Sequence, residues 1–173
     1  MTIDHKAFVF DEAAFASELR PILEESLRTR SSYALVEFID SRIGGLRNPY
    51  DGELLDQDWR ESVETSDVDT FGDFALTKYY DPTKDIGLGG DWESAQAFLI
   101  AKLGNIESPV LGRPVVCGTA IFDPGKMGSY FQSAAQVEEH LRSLARFPSE
   151  ARDYSRVMAL LQAGKGSGLY ITF

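Results

Sequence analysis

Three short β-prone runs, separated by longer stretches with helical periodicity, are the feature that most limits how this chain can fold. The runs cover residues 6–10, 115–122 and 169–173 and are rich in Phe, Val, Ile and Tyr. Between them, apolar residues recur every three or four positions, as on the buried face of an amphipathic helix. Because several helices accompany about three separated strands, the sequence predicts an α+β fold, in which several helices pack on a small sheet of about three or more strands.

Individual residues mark where several of these helices should begin or break. Asp11 stands where an N-cap residue is expected before the first helical stretch, and Asp91 occupies the same position before a later one. Pro21 falls inside the first helical pattern, which predicts a kink or two short helices that meet there. Ser133 and Gln136 have the spacing of a capping box, so a helix should start at that point.

The composition is typical of one globular domain. The chain has 173 residues, of which 43% are hydrophobic, and no linker or repeat divides it, so we treat residues 1–173 as a single domain. No apolar run approaches the roughly 18 residues needed to cross a bilayer, and no secretory signal pattern is visible. The single cysteine, Cys117, cannot form an intramolecular disulfide, which fits a reducing compartment. These features predict a cytoplasmic protein without membrane association.

Acidic residues are concentrated in one part of the chain. The net charge is −10, and residues 1–100 hold 21 acids and 9 bases. Between residues 48 and 75 the acids are accompanied by a single base, Arg60. A chain of this charge repels phosphate backbones, so nucleic-acid binding is not expected. A docking surface for a basic protein partner fits the pattern better. The residues predicted to bind this partner are Asp51, Glu53, Asp56, Asp58, Glu61, Glu64, Asp67 and Asp69.

Two other interpretations of the acidic residues stay open from the sequence. A solvated face would aid solubility without binding a partner. A cation site would use the oxygen donors between Asp51 and Asp58, but the ligand order and the terminal bidentate Glu of a calcium loop are missing. The single cysteine and the two histidines contain no pair at zinc-binding spacing. The sequence therefore predicts no metal and no cofactor.

The sequence contains no recognisable catalytic set, so no catalytic residue is predicted. His5 lies near the start of the chain, where we expect a mobile position, and His140 lies at the edge of an apolar helical stripe, where we expect a surface or boundary position. Cys117 alternates within an apolar run without a neighbouring cation to activate its thiol, so a small core side chain is expected. The glycine-rich stretches 87–90 and 164–168 predict turns, since neither has the context of a phosphate-binding loop.

An enzyme or a small-ligand protein is the alternative. Tyr79, Tyr80, Asp81 and Trp92 offer the aromatic and polar groups that ligand pockets use. Such a pocket, with scattered carboxylates as acid or base, would suit a small ligand or the substrate of a hydrolase. The same four residues could equally be corners of the core. A deep pocket with two converging carboxylates, or with Cys117 and His140 within hydrogen-bond distance, would favour the enzyme.

A set of features between residues 91 and 173 has a familiar order. These features are Trp92–Leu99, Pro109, Gly118–Ile121, Tyr130-Phe131, Val137–Leu141, Tyr154 and Tyr170–Thr172. In order and spacing, this part of the chain resembles the C-terminal two-thirds of the YfbM-like family of small bacterial cytoplasmic proteins. The resemblance implies an α+β fold in a family without an established activity.

The leading hypothesis is a non-enzymatic protein that offers an acidic face to a basic partner. Its concrete form is an immunity-type protein that neutralises a basic bacterial toxin. An acidic inhibitor suits a cationic nuclease, because the opposite charges speed association of the two proteins. The acidic balance of residues 1–100 and the missing catalytic set are the observations behind it. The sequence leaves the oligomeric state and the identity of the partner open.

Overall fold

Five short strands form two antiparallel sheets in the part of the chain that the computed structural model describes, residues 3–104, 107–125 and 127–173. The strands are β1 (Lys6–Val9), β2 (Val116–Cys117), β3 (Ala120–Ile121), β4 (Tyr130–Ser133) and β5 (Gly168–Thr172). β5 lies at the centre of a three-stranded sheet, between β1 and β4, while β2 and β3 form a separate hairpin. The first and third β-prone runs of the sequence are therefore neighbours in one sheet.

Seven α-helices surround these strands in the described residues, and the combination confirms the α+β prediction. The helices are α1 (Glu12–Glu18), α2 (Arg20–Thr29), α3 (Tyr33–Asp40), α4 (Val68–Leu76), α5 (Trp92–Leu103), α6 (Ala134–Ala145) and α7 (Arg152–Gly164). Two short 3₁₀ turns cover Ile43–Gly45 and Trp59–Ser62. In the described ranges, none of the helices has the length and apolar character needed to cross a membrane.

The signals at Asp11, Pro21 and Ser133 act where they were predicted. The Asp11 carboxylate accepts a hydrogen bond from the Ala14 backbone N–H at 3.1 Å and caps α1. The first helical pattern divides into α1 and α2, with Pro21 in the first turn of α2, where its missing N–H costs nothing. Ser133 and Gln136 form both halves of a capping box at the start of α6.

Removal of this capping box should destabilise the protein moderately. In a Ser133→Ala variant the Gln136 N–H loses its side-chain acceptor, which now lies at 3.2 Å. The expected decrease in the free energy of unfolding is about 1 kcal/mol, measured by urea denaturation. Ser155→Ala, an exposed change inside α7, is the control and should be neutral or slightly stabilising. Equal effects of the two changes would contradict the assigned role of Ser133.

Asp91 does not cap α5 with its side chain, although it occupies the N-cap position. Its carboxylate accepts a hydrogen bond from Arg156 of α7 at 2.5 Å and forms a second ion pair with Arg152 at 3.4 Å. Charge-assisted bonds to guanidinium groups are stronger than a bond to a backbone amide, so the carboxylate faces α7. The side chain thereby joins two helices instead of ending one.

The β-prone run 115–122 forms a hairpin instead of one continuous strand. Cys117 pairs with Ala120 across a two-residue turn, in which Gly118 has a φ of +62°. Positive φ is accessible to glycine at little cost, and two-residue hairpin turns require it. The glycine therefore reverses the chain in the middle of the apolar run.

The three-stranded sheet has a hydrophobic core on each face. Alternate side chains of β5 point in opposite directions, so Tyr170 packs with one cluster while Leu169 and Ile171 pack with the other. The Tyr170 cluster is covered by α1 to α4 and is dominated by aromatic rings. The Leu169 cluster is covered by α5, α6 and α7. β5 is buried on both faces, which explains why its sequence is apolar without alternation.

Candidate functional site

Two buried side chains hold the acidic segment, here residues 48–69, against the Tyr170 side of the molecule. Trp59 packs against Phe71 and Phe74 of α4, with ring centroids 5.5 and 5.6 Å apart, and its indole N–H donates to Asp40 at 3.0 Å. Leu55 is buried in the same cluster. Arg60, the one base of the segment, pairs with Asp40 of α3.

The acidic segment surrounds two adjoining depressions, which together we call the acidic cleft. The larger depression has a volume of about 650 Å³ and the smaller of about 390 Å³, and they share Asn48, Asp51 and Ser62. Seven of the eight predicted partner-binding acids line one or both depressions. These are Asp51, Glu53, Asp56, Asp58, Glu61, Glu64 and Asp67. Among the described residues that line the acidic cleft, none is Lys, Arg or His.

Asp69, the eighth predicted residue, is half-buried and has a structural contact. Its carboxylate accepts a hydrogen bond from the Asp123 N–H at 2.9 Å and so holds the loop after β3 against α4. Asp67 combines the two roles, since it lines the acidic cleft and caps α4 through a hydrogen bond from the Thr70 N–H at 2.7 Å. The structure thus brings most of the predicted set together and separates Asp69 from it.

The acidic cleft also contains apolar surface. Val63, which is half-buried, lies in the larger depression, and Leu54, 59% exposed, lies in the smaller one. Tyr50 stands in the larger depression with 68% of its surface exposed. Aromatic and aliphatic groups surrounded by charge are characteristic of surfaces that bind other proteins.

Asp73 is a buried acid that the sequence did not distinguish from its exposed neighbours. It lies in α4 with 7% of its surface exposed, and burial raises the pKa of its carboxyl to about 7. Hydrogen bonds from Tyr170, at 3.4 Å, and from Tyr50 act against this rise. A signal was present, because Asp73 interrupts the otherwise uncharged run from Phe71 to Leu76, which is buried throughout.

The four residues of the alternative pocket do not share a cavity. The Tyr79 ring is buried against Phe15, and its hydroxyl donates to Glu18 at 3.1 Å. Trp92 belongs to the Leu169 cluster. Asp81 accepts hydrogen bonds from the backbone N–H and the hydroxyl of Thr83, which lower its pKa. Tyr80, unlike the other three, lines a small cavity next to the acidic cleft.

Both histidines occupy buried positions, so the predictions of a mobile His5 and a boundary His140 were wrong. His5 Nδ1 accepts a hydrogen bond from the Leu88 N–H at 3.2 Å, and Nε2 donates to the Val110 carbonyl at 2.8 Å. His140 Nδ1 donates to the side-chain oxygen of Gln132 at 2.9 Å. Burial lowers the pKa of each histidine, so both side chains are neutral near pH 7 and have a structural role.

Cys117 is half-buried at the edge of the Tyr170 cluster instead of inside a core. It sits in the β2–β3 hairpin, and the hydrogen bonds of the two histidine rings go to Leu88, Val110 and Gln132. In the described ranges there is also no group of three or more His, Cys, Asp or Glu side chains arranged to hold a metal ion. The acids of the cleft therefore carry charge without converging on one point.

Comparison with known proteins gave no relatives. The chain matches no protein-family model, no curated protein and no solved structure. The likeness of residues 91–173 to the YfbM-like family remains a prediction from the sequence. The function must be argued from the site itself.

Proposed function

We propose that this chain is a non-enzymatic interaction protein that binds a basic protein partner through the acidic cleft. One observation carries the proposal: seven acids line adjoining concave surfaces, and none of the described residues that line these surfaces is Lys, Arg or His. Charges of one sign around a concavity reinforce each other's field and attract a cationic partner before contact. The rate of association should therefore fall steeply as salt is added.

The apolar side chains in the acidic cleft support binding over simple solvation. A solvated face needs only charged and polar groups, whereas this cleft exposes most of Tyr50 and Leu54. A partner that covers such groups gains hydrophobic contact in addition to electrostatic attraction. Charge would then speed the encounter, and the aromatic and aliphatic groups would prolong the complex.

The concrete form of the proposal is a bacterial immunity-type protein that neutralises a basic toxin in the cytoplasm. A cationic nuclease needs a positive surface to bind its phosphate substrate, and an acidic inhibitor can cover that surface. The concave shape of the cleft suits a protruding basic segment of such a toxin. A basic gene product encoded beside this chain is the first partner to test.

Charge reversal in the acidic cleft tests this function. We expect Asp56→Lys, Asp58→Lys, Glu61→Lys and Glu64→Lys together to slow association with the basic partner by about 10- to 1,000-fold at low salt. The reason is that attraction during the encounter becomes repulsion. The measurements are affinity capture from the native cell at low salt, elution at high salt, and association rates of the captured protein.

A matched variant controls for net charge. Glu93→Lys, Glu138→Lys, Glu139→Lys and Glu150→Lys change four exposed acids outside the acidic cleft by the same total charge. This variant should retain the partner with a moderate loss of rate. The proposal is wrong if both variants capture the same proteins with the same salt dependence as the wild type.

A further inference from the structure

A small cavity beside the acidic cleft reaches from the surface to a buried carboxylate. Its volume is about 190 Å³, and it shares Tyr50 and Gly125 with the larger depression of the cleft. Its lining includes the exposed residues Lys6 and Asp85, and the buried residues Phe8, Tyr80 and Asp73. A group that enters beside Tyr50 would therefore approach Asp73.

The Asp73 carboxylate has hydroxyl partners but no cationic one among the described residues. Tyr170 and Tyr50 direct hydroxyl groups towards it, and the Tyr170 hydroxyl also contacts Ser129 at 3.2 Å. None of the ion pairs in the described ranges includes Asp73. A buried carboxylate without a cation is costly when ionised, and a bound cation would offset part of this cost.

Aromatic rings complete the surroundings of this carboxylate. The ring centroids of Phe8 and Tyr80 are 4.8 Å apart, and those of Tyr80 and Tyr170 are 5.0 Å apart. Phe8, Tyr80 and Tyr50 all line the cavity. Aromatic faces attract positive charge through their quadrupole and also accept an aliphatic chain. The combination of rings with one carboxylate is suited to an alkylammonium ion rather than to an anion.

We infer that this cavity binds an organic ammonium group, which pairs with the Asp73 carboxylate while its alkyl chain lies against Phe8, Tyr80 and Tyr50. The inference stands apart from the proposed function, because the acids reversed in the charge test do not line this cavity. The ammonium group could belong to a free amine. It could equally be the lysine side chain of a partner in the acidic cleft, since the two sites adjoin at Tyr50.

Binding should release a proton below neutral pH. With a pKa of about 7, Asp73 is mostly protonated at pH 6 and mostly ionised at pH 8. The ammonium ion keeps its own protons and pairs with the ionised form, so the carboxyl proton leaves to solvent. Burial raises the pKa of Tyr50, Tyr80 and Tyr170, which keeps these phenols neutral in this range. Among the described residues that line the cavity, the other charged side chains are Lys6 of β1 and Asp85 of the loop before α5.

Titration with small amines tests the inference. The probes are n-butylammonium and N-acetyl-lysine amide, with n-butanol and N-acetyl-norleucine amide as neutral counterparts, followed by NMR chemical shifts and calorimetry. We expect a dissociation constant of about 1 mM for the ammonium probes at pH 8. Binding should be about tenfold weaker at pH 6, with proton release visible as a dependence of the heat on the buffer.

Asp73→Asn is the decisive variant, because asparagine keeps the size of the side chain and removes its charge. It should weaken ammonium binding at pH 8 by about tenfold or more and abolish the pH dependence. Glu93→Gln removes an exposed charge outside the cavity and should bind as the wild type does. The two buried histidines persist in both variants, so their titration cannot produce the difference.

The outcomes separate support from refutation. Equal binding of both ammonium probes supports a free amine as the natural ligand, and tighter binding of the lysine amide supports a lysine side chain. Absence of binding, equal binding of the neutral compounds, or unchanged ammonium binding by Asp73→Asn would each overturn the inference.

Discussion

The Asp73→Asn variant is expected to be more stable than the wild-type protein at pH 8, by about 2–4 kcal/mol. Burial raises the pKa of Asp73 from 3.8 to about 7. Each pKa unit corresponds to about 1.4 kcal/mol, so the charge makes the folded state substantially less stable above neutral pH. Asparagine keeps an oxygen acceptor for the Tyr170 hydroxyl and has no charge to bury.

The stability difference between the two proteins should grow with pH. The folded-state pKa of Asp73 lies above its unfolded value, so the folded wild type binds the extra proton between about pH 4 and pH 7. Its stabilising effect is complete below the unfolded pKa and is lost as the pH rises through the folded pKa. We therefore expect wild type and variant to differ little at pH 4 and to reach the full difference above pH 7.

Urea denaturation across this pH range measures the difference. His5 and His140 destabilise the folded state as the pH falls below about 6.5, because burial lowers their pKa, but they do so in both proteins. Asp58→Asn, an exposed change in the acidic cleft, is the control and should alter stability by less than about 0.5 kcal/mol. A loss of stability in Asp73→Asn at pH 8 would show that the carboxylate is not an uncompensated buried charge.

Phe10→Ala is expected to lower the free energy of unfolding by about 3–5 kcal/mol. Phe10 is fully buried, directly after β1, with ring centroids of Phe15, Phe131 and Tyr170 at 5.3, 5.5 and 5.9 Å. Truncation leaves a void among these rings, and few neighbours are flexible enough to fill it. The expected result is a lower urea midpoint with an unchanged dependence of unfolding free energy on urea.

Val9→Ala is the matched control for Phe10→Ala. Val9 is the preceding residue, 42% exposed, and its truncation opens no internal void. The expected loss is below about 1 kcal/mol and comes mainly from strand propensity. If both variants lose the same stability, the centre of the Tyr170 cluster has been misplaced.

Sequence patterns predicted the local elements well because their causes are local. The cap at Asp11, the break at Pro21 and the capping box at Ser133 depend on residues a few positions apart. The pairing of β1 with β5 joins residues such as Phe8 and Tyr170, whose contact depends on the whole fold. The burial of His5 has the same origin, since its partners Leu88 and Val110 lie far along the chain.

The candidate site was visible in part. The density of acids identified the lining of the acidic cleft, but its concave shape arises from the way Leu55 and Trp59 are buried. The burial of Asp73 did not follow from the density of acids, because net charge does not distinguish the two faces of α4. The grouping of Tyr80 with Trp92 followed sequence proximity, whereas the fold places them in different clusters.

The central position of β5 has a consequence for biosynthesis. A ribosome makes this strand after every other element that the structure describes, yet both cores are built against it. Until β5 emerges from the ribosome, the two groups of helices lack the strand against which their apolar faces pack. We therefore expect the nascent chain to expose hydrophobic surface, and to be prone to aggregation, until β5 emerges.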